Sequence, residues 1–198
     1  MKFFIAKLKP NDMRIISILM MSSFLAVGVS GEKAFAAMET GREKVENQVA
    51  QDQDNQDPLI GKRFLDVQEP DTKGKLRRLS DYAGKGRWVL VDFWASWCGP
   101  CQEEMPNVVA AYKKYHDKGF EIVGLSFDAD RDDWMNAIKT WNMPWIHLSD
   151  LNYWESKAGK VYKIEGIPDN VLIDPDGIIV ARDLRGPELD NYLSEIFD

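Results

Sequence analysis

The chain contains two cysteines, Cys98 and Cys101, and they bracket Gly99-Pro100. The segment leading to them is apolar and strand-like, and the segment after them reads as a helix. The first thiol therefore falls at a loop-to-helix junction and the second about one turn further on. Backbone N–H groups and the dipole at a helix start favour an anion, so Cys98 is expected to ionise more readily than a free thiol and to act as a nucleophile. Cys101 can then attack a disulfide formed on Cys98 and close the pair, because this spacing permits an intramolecular bridge. A structural zinc site is the competing use of Cys-x-x-Cys, but it needs four ligands. No second cysteine pair exists, and the only histidines, His116 and His147, do not repeat metal-ligand spacing, so no metal is expected.

The elements that must hold the pair follow from apolar patterning. Residues 88–94 are apolar on both alternating faces except at Asp92, as expected of a strand covered on both sides. Asp92 is the anomaly: a carboxylate there would be costly to ionise and could hold or pass a proton near neutral pH. A helix is expected over about 100–118, with Gly119 as its C-terminal cap and Pro106 inside it. Strands are expected at 120–128, 170–173 and 178–182, the last two joined by the turn Asp174-Pro-Asp-Gly. Helices are expected at 132–141, capped by Asp130 or Asp132, at 153–163, and at 187–197 with Pro187 near its first position. Before the central strand, residues 63–67 and 75–79 read as a hairpin around the turn-prone Glu69-Pro-Asp-Thr-Lys-Gly.

The run Val91-Asp-Phe-Trp-Ala-Ser-Trp-Cys-Gly-Pro-Cys resembles the active-site segment of the thioredoxin superfamily, and the resemblance extends over roughly 59–198. Gly61-Lys-Arg-Phe-Leu-Asp and Leu79-Ser-Asp-Tyr-Ala-Gly-Lys look most like its extracytoplasmic TlpA/ResA branch. The resemblance implies an α/β thioredoxin fold, with a mixed central sheet of about five strands, helices on both faces and an N-terminal β-hairpin. It implies thiol-disulfide exchange without a cofactor beyond the redox-active Cys98–Cys101 pair. Asp92 matches the buried aspartate of thioredoxins, which accepts the proton of the second cysteine, although TlpA-like proteins often lack it. Thioredoxin pairs that aspartate with a lysine on the next strand. Gly124 stands there in this chain, which leaves the proton route to water or to Glu104.

Glu104 matches an acidic position of TlpA/ResA-like proteins, and its alternative role is an ordinary helix-surface carboxylate. Ile167-Pro168 falls where the fold places a cis-proline, with the Ile167 backbone available to an extended client segment. Asp169 departs from the small or hydroxyl residue common after that proline. Trp97, Gly99 and Pro100 complete the client-facing set, Trp97 as an apolar rim, while Trp94 continues the strand and reads as core.

Composition fits one soluble domain with extensions: 198 residues, 44% hydrophobic and 29% charged, enough to bury a core. The formal charge of −7 argues against nucleic acid as a partner and offers no basic patch for anionic lipid. Residues 1–36 carry Lys2, Lys7, Lys9 and Arg14, an apolar run over 15–29 and a small-residue end, the pattern of a signal peptide. The apolar run is short for a membrane span of about 20 residues, so cleavage is favoured over an uncleaved anchor. Its removal takes five basic and two acidic residues, leaving a more acidic product. Residues 37–57 are polar and read as a flexible linker, and 58–198 as the thioredoxin-like domain.

The expected protein is thus an exported reductase of the periplasm or cell envelope. Its partners are disulfide-bearing client proteins and a membrane thiol reductase as electron donor. Two rivals stand beside it. A peroxiredoxin-like peroxidase would want Thr or Ser where Ala95 stands, and a client-binding module would use the dithiol only structurally.

Overall fold

The computed structural model describes residues 57–198, so the expected signal peptide and all but the last residue of the linker lie outside the described residues. The organising element is β3 (Trp88–Trp94), buried from Val89 onward. Its apolar side chains alternate between two covered faces, which is why the run shows no polar stripe. Parallel to it runs β4 (Phe120–Ser126), with Asp92 opposite Gly124, and parallel to β4 runs β5 (Ile146–Leu148). On the other side β6 (Asp169–Ile173) is antiparallel to β3, with Asp92 opposite Asn170, and β7 (Ile179–Arg182) is antiparallel to β6. The order is β5-β4-β3-β6-β7, a mixed sheet as expected.

Among the described residues four α-helices flank the sheet: α1 (Gly99–Tyr115), α2 (Arg131–Thr140), α3 (Lys157–Tyr162) and α4 (Pro187–Phe197). Their starts are legible in local chemistry. Asp130 caps α2 by accepting from the N–H groups of Asp132 and Asp133, and Pro187 opens α4 without wasting a backbone donor. After α1 a single 3₁₀ turn, His116–Lys118, ends at Gly119, whose φ of 107° only glycine adopts cheaply. Tyr115 then stacks on Phe197 and donates from its hydroxyl to Asp190 at 2.9 Å, joining α1 to α4.

Three expectations are corrected. The N-terminal hairpin exists, but its strands are β1 (Gln68–Pro70) and β2 (Leu76–Arg78), with Glu69 opposite Arg77. Residues 63–67 are not its first strand because their backbone is engaged elsewhere. Phe64 N–H donates to the Gly177 carbonyl, and Leu65 bonds through both its N–H and its carbonyl to the Tyr162 hydroxyl. The expected helix over 153–163 divides into a 3₁₀ turn, Tyr153–Glu155, and α3. Ser156 breaks it by accepting from Gly159 N–H as a cap. The short strand β5 was not anticipated, and the strand expected to run to Asp128 stops at Ser126.

Both edges of the sheet are met by the segment before β3. Along β7, Gly61 N–H donates to the Ile179 carbonyl and Ile179 N–H to the Lys62 carbonyl, both at 2.8 Å. Beside β5, Asp71 bridges Leu148, and Ser149 N–H donates to the Pro70 carbonyl at 3.0 Å. Among the described residues no helix is long and apolar enough to cross a membrane.

Candidate active site

Cys98 is the N-cap residue of α1, and its Sγ accepts a hydrogen bond from the Cys101 backbone N–H at 3.1 Å. The two cysteines are joined as a disulfide, with Cα atoms 5.2 Å apart. Cys101 lies inside the helix, while Cys98 sits between exposed Trp97 and exposed Gly99 and Pro100. On reduction, the donor already aimed at the Cys98 sulfur, together with the helix start, stabilises a thiolate there.

The loop carrying Cys98 is latched by a residue that sequence reasoning missed. Asp128, wholly buried just beyond the end of β4, accepts from Ser96 N–H at 3.1 Å, from the Ser96 hydroxyl and from the Ser126 hydroxyl. The partners are 32 residues apart, and the visible signal was weak: an aspartate placed where β4 was expected to continue. Trp97 adds a second tie, donating from its indole N–H to the Phe127 carbonyl.

Asp92 is buried on β3, and one of its carboxylate oxygens has no hydrogen-bond partner. Burial, reinforced by the charges of Glu104 and Asp169, pushes its carboxyl up to about 7 from an ordinary 3.8. Its burial is as anticipated from the strand pattern. Both neighbouring carboxylates are anchored. Glu104, partly buried on α1, accepts from Gly186 N–H at 2.8 Å and from the Asn107 amide, so it ties α1 to the loop before α4 and is not a free surface group. Asp169 is paired with Arg182, which also reaches Asp57 at 2.8 Å.

The space beside Gly124, the residue opposite Asp92 on β4, is filled by two rings. A Cβ on Gly124 would come within 2.9 Å of both His147 Nδ1 and Trp94 Nε1, so the lysine of thioredoxins has no room here. His147 donates from Nε2 to the Met143 carbonyl at 3.1 Å, its Nδ1 has no partner, and burial pushes its imidazole down to about 4. It is neutral at physiological pH, so it offers Asp92 no cation. Gly124→Ala is expected to destabilise the fold by about 1–3 kcal/mol through overpacking against two rings. A urea midpoint unchanged from the parent would mean that the rings yield freely.

Ile167–Pro168 is cis, with Pro168 buried and Ile167 half-buried at an open cleft that also holds Lys163, Asp169, Arg182 and Arg185. Arg185 donates to the Pro168 carbonyl, and Asn170 binds the Leu184 backbone through both ends of its amide. Sequence reading missed these supports because each spans a loop of more than a dozen residues. Among the described residues no group of His, Cys, Asp and Glu is arranged to hold a metal ion.

A disulfide at the start of a helix, a mixed sheet ordered β5-β4-β3-β6-β7 and a proline loop before β6 define a thioredoxin-fold dithiol oxidoreductase. The AhpC/TSA family matches residues 60–182, and the chain belongs to that thioredoxin-superfamily group. A relative is the thiol-disulfide oxidoreductase ResA of Bacillus thuringiensis subsp. konkukian. It is 35% identical over 146 residues, covering 69% of this chain and 78% of the relative. Among solved structures, the thioredoxin domain of a thiol-disulfide oxidoreductase from Bacteroides vulgatus is 34% identical with a TM-score of 0.65, covering 72% of this chain and all of that one. A thiol:disulfide interchange protein from a Bacteroides species is also 34% identical, with a TM-score of 0.63 over 70% of this chain and 90% of that one. The activity is thiol-disulfide exchange.

Proposed function

We propose that the protein is an exported reductase that removes disulfides from proteins of the periplasm or cell envelope. The observation that carries this reading is the Cys98–Cys101 pair at the start of α1, with a sulfur already hydrogen-bonded at the N-cap and a buried carboxylate on the adjoining strand. In the reduced protein the Cys98 thiolate attacks one sulfur of a client disulfide. The client S–S bond breaks, and its other sulfur leaves as a thiolate. Cys101, giving its proton to Asp92, then attacks Cys98 Sγ and releases the second client sulfur. Two electrons pass to the client, and the Cys98–Cys101 disulfide remains. No step needs a cofactor, but each turnover needs two electrons from outside, and the donor in this reading is a membrane thiol reductase.

Trp97, Gly99, Pro100, Ile167 and Pro168 form the surface on which the client segment lies. Glu104 acts as a positioning residue, holding α1 to the loop at Gly186 while its charge keeps the Asp92 proton tightly bound. The signal-peptide pattern of residues 1–36 supports export, and the polar linker serves as a spacer.

Direction is read from the reduction potential. Thioredoxin, with Gly-Pro between its cysteines, lies at about −270 mV, and the oxidant DsbA at about −120 mV. Equilibrated with glutathione, this protein is expected below about −230 mV. A Cys101→Ser variant is expected to accumulate mixed disulfides with envelope clients. A potential near that of DsbA, or full oxidation in cells whatever the donor, would mean that it makes disulfides.

A further inference from the structure

Five large hydrophobic side chains are strongly exposed among the described residues, and three of them lie together beside the nucleophile: Trp97 at 44%, Tyr153 at 44% and Trp154 at 38%. The Trp97 ring is 4.9 Å from Tyr153 and 5.9 Å from Trp154, and Trp154 rests edge-on against buried Phe127 at 5.3 Å. Trp97 precedes Cys98 directly, whereas Tyr153 and Trp154 come from the 3₁₀ turn between β5 and α3, more than fifty residues away.

The turn is held in a costly shape. Leu151 and Tyr153 both have φ of 54°, a left-handed conformation that bulky residues rarely adopt. It is fixed by hydrogen bonds from Leu151 N–H to Ser149 Oγ and from Glu155 N–H to the Asn152 carbonyl. Packing alone does not account for holding two large rings half in water at such a cost, since exposed aromatic surface gains nothing by it.

We propose that Trp97, Tyr153 and Trp154 form a docking platform for the client, and that its occupant is an aromatic or aliphatic side chain close in sequence to the client cysteine under attack. This deepens the reductase reading above and rests on it. Continuity with the redox pair selects the occupant: a chain whose sulfur reaches Cys98 lies beside Trp97, the residue just before it, which brings a neighbouring side chain within reach of the platform. Two of the carboxylates nearby already have partners. Glu155 is paired with Lys160, and Asp150 accepts from the N–H groups of Asn152 and Lys157. The three rings themselves are uncharged, with edges and faces available for apolar contact. Side chains of this kind are buried in folded proteins, so the platform favours disulfides in misfolded or unfolded clients over those on finished surfaces.

The test compares oxidised peptides that differ only in the residue beside the cysteine, Leu or Trp against Ser and Arg, with kcat/KM measured for each. In the wild-type protein the Leu or Trp peptide should exceed the Ser peptide by about tenfold, mainly through KM. In Trp154→Ala and Tyr153→Ala that ratio should fall to near one, and in Tyr153→Phe it should persist. Because the readout is a ratio within one protein, general damage to the turn does not imitate it, and the wild-type comparison stands even if a variant fails to fold. A wild-type ratio near one, a ratio preserved in both alanine variants, or preference for the Arg peptide, which would indicate a cation over the rings, overturns the platform. Failure to reduce any of the peptides would instead overturn the reductase reading itself.

Discussion

Cys98→Ser is expected to abolish reduction of insulin by dithiothreitol, a loss of at least about a thousandfold, leaving only the uncatalysed rate. Serine at the N-cap still accepts from the Cys101 N–H, so the local fold is retained and the loss is chemical. The hydroxyl is not ionised near neutral pH and cannot attack sulfur. Cys101 stays inside α1, 1% exposed, so it cannot take over as the external nucleophile. Its own replacement by serine should act differently: one mixed disulfide forms per molecule and then stalls. Residual turnover in Cys98→Ser near that of the parent would reverse the assignment of the two sulfurs. It would also require α1 to open.

Asp92→Asn is expected to separate stability from rate. The Asp92 carboxyl is pushed up to about 7 in the folded chain from an ordinary 3.8, so the folded state holds this proton more tightly than the unfolded state does. Its contribution to stability is therefore fully present below about pH 4 and is lost as pH rises through 7. At about 1.4 kcal/mol per pKa unit the ceiling is near 4 kcal/mol, and structural relaxation should leave about 1–3 kcal/mol. The asparagine variant should then be more resistant to urea than the parent at pH 8, with little difference at pH 4. Glu69 complicates the curve. It is buried on β1, and burial together with the charge of Asp150 pushes it up to about 7, so part of the stability slope survives in the variant.

The rate of mixed-disulfide resolution is the cleaner measure. The parent should accelerate through the pH range where Asp92 loses its proton. The variant should be slower by about ten- to a hundredfold, as expected for removal of a proton acceptor, and should lack that inflection. Equal turnover of the two proteins from pH 6 to 9 would remove Asp92 from the mechanism.

The cysteine pair and the buried Asp92 were legible because their signals are local. A run of apolar residues broken once by Asp92, a Cys-Gly-Pro-Cys at the strand-to-helix junction and turn residues at Asp174 to Gly177 all lie within a few positions of what they specify. What escaped depends on distant partners. β5 is three residues long and becomes a strand only by pairing with β4. The position of the hairpin is set by the Tyr162 hydroxyl, which claims Leu65 from 97 residues away. Asp128, which holds the loop before Cys98, shows in the sequence only as one more aspartate in an acidic stretch. Glu104 lay between these cases: its presence could be read, but its bond to Gly186 could not, because the pair spans 82 residues.

The contacts that the segment before β3 makes with β5 and β7 have a consequence for the protein's behaviour in solution. An unpaired strand margin presents a row of free donors and acceptors, and it templates the addition of strands from other molecules. Here residues 61–63 occupy part of one margin and 70–71 reach the other. A fragment cut down to begin at β3 would keep both cysteines and Asp92, yet would carry two sticky borders. It would be prone to aggregate with itself and with other unfolded chains. Residues 61–71, which supply no reacting atom, thus let a thiol-disulfide oxidoreductase meet other chains without adding their strands to its own sheet.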